Sequence, residues 1–323
     1  MWGVVGGALP RQKLVIGTRG SSLALWQAEH VAQKLGAVAP NLDIEAKKIK
    51  TQGDLVRDRP LSRVGGKGFF VKELENALLS GEADLAVHSL KDVPIELPDG
   101  LALGAILERT DPHDALVVRD GGGDLSALPR GARVGTSSLR RRAQLLAVRP
   151  DLEVADLRGN VDTRLRKLRA GEYDAVVLAA AGLVRLGLEE HIAQRLPFDV
   201  MLPAPAQGAL AVEYRADDEA ILELLRPIHH QPTWAAVTAE RAFLSGLGGG
   251  CSVPVAAYAV QDAVKGPTLR LHGLVASLDG RQVVRVVGEG SPQEPERLGR
   301  RLAQETLAGG ASAILEEISW GTG

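Results

Sequence analysis

Short apolar runs and longer amphipathic stretches alternate along the first two thirds of the chain. KLVIGT (13–18) reads as a buried strand, and SLALWQAEHVAQKL (22–35) repeats its apolar residues at helical spacing. DIEAKKIKT (43–51) predicts a second strand, FFVKELENALL (69–79) a second helix and DLAVHS (84–89) a third strand. LALGAIL (101–107) and ALVVRD (115–120) continue the series. The pattern then restarts with ARVGT (132–136), the helix SLRRRAQLLAV (138–148), LEVADL (152–157), the helix VDTRLRKLRAG (161–171) and DAVVLA (174–179). Strands separated by helices of this length predict parallel βαβ units. Two such series predict two α/β domains, with a boundary near Leu107 to Asp114.

The pattern changes towards the C-terminus. GALAVEY (208–214) is one more strand, followed by the helix DDEAILELLRPI (217–228). A helix over TWAAVTAERAFLSGL (233–247) then leads into three strands with short connections, VPVAAYAV (253–260), LRLHGLVAS (269–277) and VVRVVGEG (283–290). Short connections favour antiparallel pairing, and PERLGRRLAQETL (295–307) predicts a helix to cover one face. The expected class is α/β: two domains with mostly parallel sheets and a small C-terminal α+β domain with an antiparallel sheet. At 323 residues the chain is long enough for two or three cores.

Composition narrows the function classes. Net charge is −2, so the molecule as a whole has no field suited to a polyanion, and an aromatic content of 3% supplies few stacking platforms for bases. The longest apolar run, AVVLAAAGLV (175–184), is too short to cross a bilayer. Nor does MWGVVGGALP carry a signal-peptide core, so the expectation is a cytoplasmic protein. Charge is uneven, however: residues 130–169 hold ten arginines and one lysine against four acidic residues, which favours a compact anionic ligand. No His, Cys, Asp or Glu cluster has metal-ligand spacing, and no glycine run matches a phosphate-binding loop.

Open parallel sheets bind ligands beyond the carboxyl ends of their strands, and the unusual polar residues fall at those positions. Arg19 and Ser21 follow the first strand; His88, Ser89, Lys91 and Asp92 follow the third. Thr136, Ser137, Ser138, Arg140 and Arg141 follow ARVG, and Arg158, Gly159 and Asn160 follow VADL, with Arg164 one turn further on. Arginines in a first helical turn oppose the helix dipole and need compensation, which a bound anion supplies. Asp92 beside Lys91 is suited to stabilise a cation formed in a reaction or to hold a substrate N–H; it is equally compatible with a surface turn before Pro94. The one cysteine, Cys251, follows Gly248, Gly249 and Gly250. It reads either as a small buried residue or as a thiol whose approach is kept clear. The polar segment 51–68 is long for a connection and reads as a covering loop or as an ordinary surface loop.

RGSSLALWQ, VGGKGFFVKELE, AVHSLKDVP, GTSSLRRR, LRGNVDTRL, AAGLVRLGL, LPAPAQGAL and GGGCSVPV occur in this order. Together they closely resemble the hydroxymethylbilane synthase (porphobilinogen deaminase) family over nearly the whole chain. The resemblance implies two periplasmic-binding-protein-like domains, 1–108 with 204–227 and 109–203, and a third domain, 228–323. It implies a transferase of tetrapyrrole (haem) biosynthesis that condenses four porphobilinogen molecules head to tail with loss of ammonia. A dipyrromethane cofactor would be joined to Cys251 through a thioether. Asp92 matches the catalytic carboxylate and Arg19 a residue that aids proton transfer. Lys91, Ser21, Thr136, Ser138, Arg140, Arg141 and Arg158 match cofactor-binding positions. Arg19, Arg158, Arg164 and Arg185 match substrate-binding positions, and Lys67 and Phe69 match the lid. The family's usual form is a monomer without metal or nucleic-acid partner. Gly248 and Ala256 depart from the residues common at those positions. The main alternative is a non-catalytic solute-binding protein for a small polycarboxylate, which leaves Cys251 and Asp92 without purpose.

Overall fold

The structure is a computed structural model that describes residues 12–50, 71–248, 253–262 and 266–320. Lys67, Phe69 and Cys251 lie outside the described residues, as does the segment 51–68.

Three sheets organise the chain. The first has the order β2 (Asp43–Lys48), β1 (Lys13–Thr18), β3 (Leu85–Ser89), β10 (Leu210–Arg215), β4 (Leu101–Ile106). β1 is parallel to β2 and β3, whereas β10 is antiparallel to both β3 and β4. The second sheet repeats this plan as β7 (Glu153–Ala155), β6 (Arg133–Gly135), β8 (Ala175–Ala179), β5 (Asp114–Val118), β9 (Gln194–Arg195). There β6 is parallel to β7 and β8, and β5 is the reversed strand. In each sheet the reversed strand comes from chain that has just left the other sheet. The third sheet is an antiparallel meander of β11 (Val255–Asp262), β12 (Thr268–Ala276) and β13 (Val283–Gly290).

Helical periodicity decides what each helix buries. α1 (Ser22–Val38) turns Ala28, Val31 and Leu35 onto Leu14, Ile16 and Leu85 of the first sheet. Burying a side chain the size of Val31 or Leu35 contributes about 1.5–3 kcal/mol. α2 (Lys72–Leu79) places Leu74 and Leu78 against Ala86 and Leu101. α3 (Leu139–Val148) and α4 (Val161–Arg169) flank the second sheet, and α6 (Glu219–Leu225) returns to the first through Ile221, Leu224 and Leu225. On the third sheet α7 (Gln231–Gly246) and α8 (Pro295–Thr306) enclose a core around Phe243, Leu271 and Leu302. These helices cross closely because Gly299 faces the backbone of α7: a Cβ there would collide with the Ala239 carbonyl.

The apolar run 175–184 divides into β8 and a short helix α5 (Ala180–Arg185); all but two of its residues are buried, so periodicity gives no sign of the change. A last helix α9 (Ser312–Trp320) is also new; Gly310, at φ +108°, separates it from α8.

Two adjacent segments connect the sheets. Between β4 and β5, and between β9 and β10, the chain runs past itself with Leu107 N–H donating to Leu210 O (3.0 Å) and Thr110 N–H to Gly208 O (3.2 Å). Gly208 has φ +89°, and a Cβ on it would stand 2.6 Å from the Thr110 carbonyl oxygen. Only glycine fits that approach. Glu240 of α7 secures the third sheet to this junction: it accepts from Arg109 (2.6 and 3.1 Å), Ala206 N–H (2.6 Å) and Ala259 N–H (2.7 Å).

Candidate functional site

The carboxyl ends of β1, β3, β6, β7 and β8 carry the predicted polar residues. Ser21 caps α1 by accepting from Ala24 N–H, and Arg19 stands at the end of β1. After β3 the chain makes one 3₁₀ turn, Leu90–Asp92. Leu90 is buried and its N–H donates to Ala209 O (3.0 Å), so the turn is fixed from below while Asp92 remains exposed. His88, one residue upstream of Ser89, is not at the cleft: its ring is buried against Glu213 at 2.9 Å.

Lys91 reaches Gln207 Oε1 at 3.2 Å. Burial lowers its pKa to about 8; Asp92 and Asp114 oppose the shift, while Arg141 and Arg140 add to it. Its ammonium is therefore held at a cost, in a setting that favours an anion beside it.

Arg140 and Arg141 behave differently from the cleft arginines. Both are buried, and both donate to the fully buried Asp114: Arg140 Nη1 to Oδ2 at 2.7 Å, Arg141 Nε and Nη2 to Oδ1 at 2.9 and 2.7 Å. Arg140 also donates to Leu202 O and Arg141 to Val177 O. Burial alone would raise the Asp114 pKa. The two guanidinium charges and hydrogen bonds from Arg140 and Gln207 overcome it and hold the carboxyl well below the usual range. Part of the compensation expected from a bound anion is thus supplied internally by Asp114, one carboxylate against two guanidinium charges. Asp114 was missed because ALVVRD marks only the strand, and nothing local shows that the preceding carboxylate is buried.

Gln207 joins the two parts. Its Nε2 donates to Asp114 Oδ1 (3.0 Å) and Pro112 O (2.9 Å), while its Oε1 receives Lys91. It lies in the motif LPAPAQGAL, but the motif alone gave it no role.

The remaining cations line the space opposite Asp92. Thr136 is buried and accepts from Ser138 N–H, and Ser138 caps α3 by accepting from Arg141 N–H. Asn160 caps α4, and Arg164 Nε donates to Gly159 O at 2.8 Å. Burial lowers the Arg164 pKa to about 10; the charges of Arg141 and Arg158 add to the shift, and Asp92 opposes it. Asp92 from the first sheet and Arg141, Arg158 and Arg164 from the second therefore share one electrostatic field. Arg185 is buried, donates through Nη2 to Thr110 Oγ1 and Gly208 O at 2.7 Å, and sits 5.9 Å from the Trp26 ring centre. Its Nε is buried without a hydrogen-bond partner, and burial lowers its pKa to about 10. The donor set suits a ligand bearing several carboxylates: planar forks and an ammonium, desolvated and in excess of local acid.

Comparison with known proteins gives the same direction. The family model "Porphobilinogen deaminase, dipyromethane cofactor binding domain" matches residues 14–223, and "Porphobilinogen deaminase, C-terminal domain" matches 234–308. Porphobilinogen deaminase from Nitratidesulfovibrio vulgaris (strain DP4) is 54% identical over 94% of this chain and 96% of its own length. That from Roseiflexus castenholzii is 53% identical over 94% and 99%. Among solved structures, the BvgS VFT2 domain of Bordetella pertussis aligns with a TM-score of 0.39 at 18% identity, covering 67% of this chain and 85% of that one.

Proposed function

The chain belongs to the porphobilinogen deaminase family, and from that premise we propose how its residues divide the work of joining porphobilinogen units head to tail with release of ammonia. The enzyme is a transferase of tetrapyrrole biosynthesis whose family model is the dipyrromethane cofactor binding domain. The solute-binding alternative is not favoured.

Asp92 is the catalytic carboxylate. It stands exposed at the end of a turn whose other residues are tied down, and it faces cations on the opposite sheet. The observation that carries the reading is one exposed carboxylate, Asp92, whose charge acts on Arg164 of the other sheet. Loss of ammonia from porphobilinogen leaves a cationic methylene–pyrrole, which a nearby carboxylate stabilises while the next carbon–carbon bond forms. Arg19 assists proton transfer to the departing amine. Arg19, Arg158, Arg164 and Arg185 hold the acetate and propionate groups of incoming units.

Lys91, Arg158, Ser21, Thr136 and Ser138 hold the dipyrromethane, with Arg140 and Arg141 behind them, and Cys251 anchors it through a thioether. When bound, that group supplies the pyrrole carbon from which the chain grows. Lys67 and Phe69 cover the site. The domains follow the sheets: 1–108 with 204–227, then 109–203, then 228–323. The same reading takes the enzyme as a cytoplasmic monomer without metal or nucleic-acid partner. Among the described residues no helix is long and apolar enough to cross a membrane.

Intact-mass measurement tests the anchor. The purified protein is expected to exceed its chain mass by two linked pyrrole units, and Cys251→Ala to lose that excess; an excess that survives the substitution overturns the assignment. Asp92→Asn is expected to keep the added mass yet release ammonia at least a hundredfold more slowly, an estimate on the scale of removing one electrostatic stabiliser. Turnover near that of the parent would remove Asp92 from the mechanism.

A further inference from the structure

We propose that Arg241 is a positioning residue for the turn that carries Lys91 and Asp92, holding it at a fixed height against α7. The proposal rests on the assignment of Asp92 as the catalytic carboxylate.

Arg241 lies on α7, beside Glu240, and α7 ends at Gly246, just ahead of Cys251 in the sequence. Its guanidinium reaches across to the first sheet and meets the backbone of the turn from behind. Nη1 donates to Val93 O at 2.9 Å and more distantly to Leu90 O at 3.5 Å. Nη2 donates to Pro94 O at 2.6 Å and more distantly to Ile95 O at 3.4 Å. These carbonyls flank Asp92 on both sides along the chain. They lie outside any sheet ladder, and Pro94 offers no N–H of its own, so the turn needs donors from elsewhere. A planar fork with diverging N–H groups bridges carbonyls of successive residues, which a lysine ammonium on a flexible stem does poorly.

The apolar side of the turn has the same backing. Leu90 and Val93 pack with Val237 of α7 and with Ala206, Ala209 and Ala211. Neighbouring residues of one helix thus hold two things: Glu240 the junction between the sheets, Arg241 the turn that presents Asp92. A shift of about 1 Å in a catalytic group costs on the order of a hundredfold in rate even when the altered residue is remote from the chemistry. A residue that sets the height of this turn therefore governs turnover without touching substrate. A hollow of about 260 Å³ opens beside Arg241, walled by Leu90, Ile95, Trp234, Ser245 and Arg300. It gives a small guanidinium compound access to the place that the side chain occupies.

The test compares Arg241→Ala and Arg241→Lys with the parent holoenzyme, and Asp92→Asn alongside. Arg241→Ala is expected to retain the two-ring mass and a cooperative melt, with kcat lowered at least about tenfold and KM within about twofold. Methylguanidine at millimolar concentration is expected to restore a several-fold share of its kcat but none of that of Asp92→Asn. Arg241→Lys is expected to fall between the two, and it decides the matter if the alanine variant does not fold. A kcat within twofold of the parent, or a loss that follows the folded fraction and ignores methylguanidine, overturns the proposal. If Asp92→Asn is inactive while Arg241→Ala is normal, this inference alone fails. If Asp92→Asn turns over normally, the assignment beneath it fails.

Discussion

Two pairs of arginines on the second sheet follow the same strand-end rule and end in opposite circumstances. Arg140 and Arg141 point inward, where both donate to Asp114 within 2.7–2.9 Å. Arg158 and Arg164 remain partly exposed, and Arg164 shares a field with Arg158, Arg141 and Asp92. The inner pair is tied into a buried ion cluster that shapes the wall. The outer pair, on the reading proposed above, holds carboxylates of the incoming units. Residue type and local sequence do not separate these roles; the position of one buried carboxylate does.

The largest expected effect comes from breaking the inner cluster. Asp114→Ala leaves two buried guanidinium groups without their counterion, which is expected to cost about 3–5 kcal/mol of stability. Denaturant unfolding followed by tryptophan fluorescence reads it, and a loss below 1 kcal/mol would mean that the wall tolerates an unpaired pair. The outer pair should respond in the opposite sense. Arg164→Leu is expected to leave the unfolding midpoint unchanged or raised, because a desolvated cation is gone. It should lower kcat/KM for porphobilinogen about tenfold, the worth of one charge-assisted hydrogen bond. If stability fell and kinetics did not, the two pairs would share one role.

A third effect, which depends on pH, lies between them, at Lys91. The folded protein holds this ammonium near pKa 8, against 10.5 in the unfolded chain. Between those values the unfolded chain binds more protons, so stability rises with pH from about 8 to 10.5. Lys91→Met is expected to abolish that rise and to be more stable than the parent at pH 7. Unfolding of Cys251→Ala protein, with and without the lysine, measures this on a background designed to lack the anchored group. An unchanged pH slope would show that Lys91 is not strained.

The sequence made most of this architecture legible, for identifiable reasons. Strand and helix periods placed β1, β3, β8, α1, α3 and α8 nearly residue for residue, since each has one buried face and a polar one, or is buried throughout. The strand-end rule brought Lys91, Asp92, Arg158 and Arg164 to one cleft. Periodicity was blind where burial was uniform, as at α5, and where an element was only two residues long, as at β9. It was blind also to tertiary pairing: nothing in GALAVEY says that it enters the first sheet. Asp114, Gln207, Glu240 and Arg241 escaped for the same reason, because each acts on residues at least 19 positions away.

The place of β10 has a consequence for synthesis. It is inserted between β3 and β4, which have no other contact with each other in the sheet. A ribosome that has released residue 106 has therefore made both neighbours of a missing plank, and the plank emerges only after the whole second sheet. Until then two unsatisfied strand edges face each other across a gap, a standing invitation to foreign strands. Chains truncated before Leu210 are accordingly expected to be digested rapidly in their first hundred residues, and those extended past Arg215 to resist.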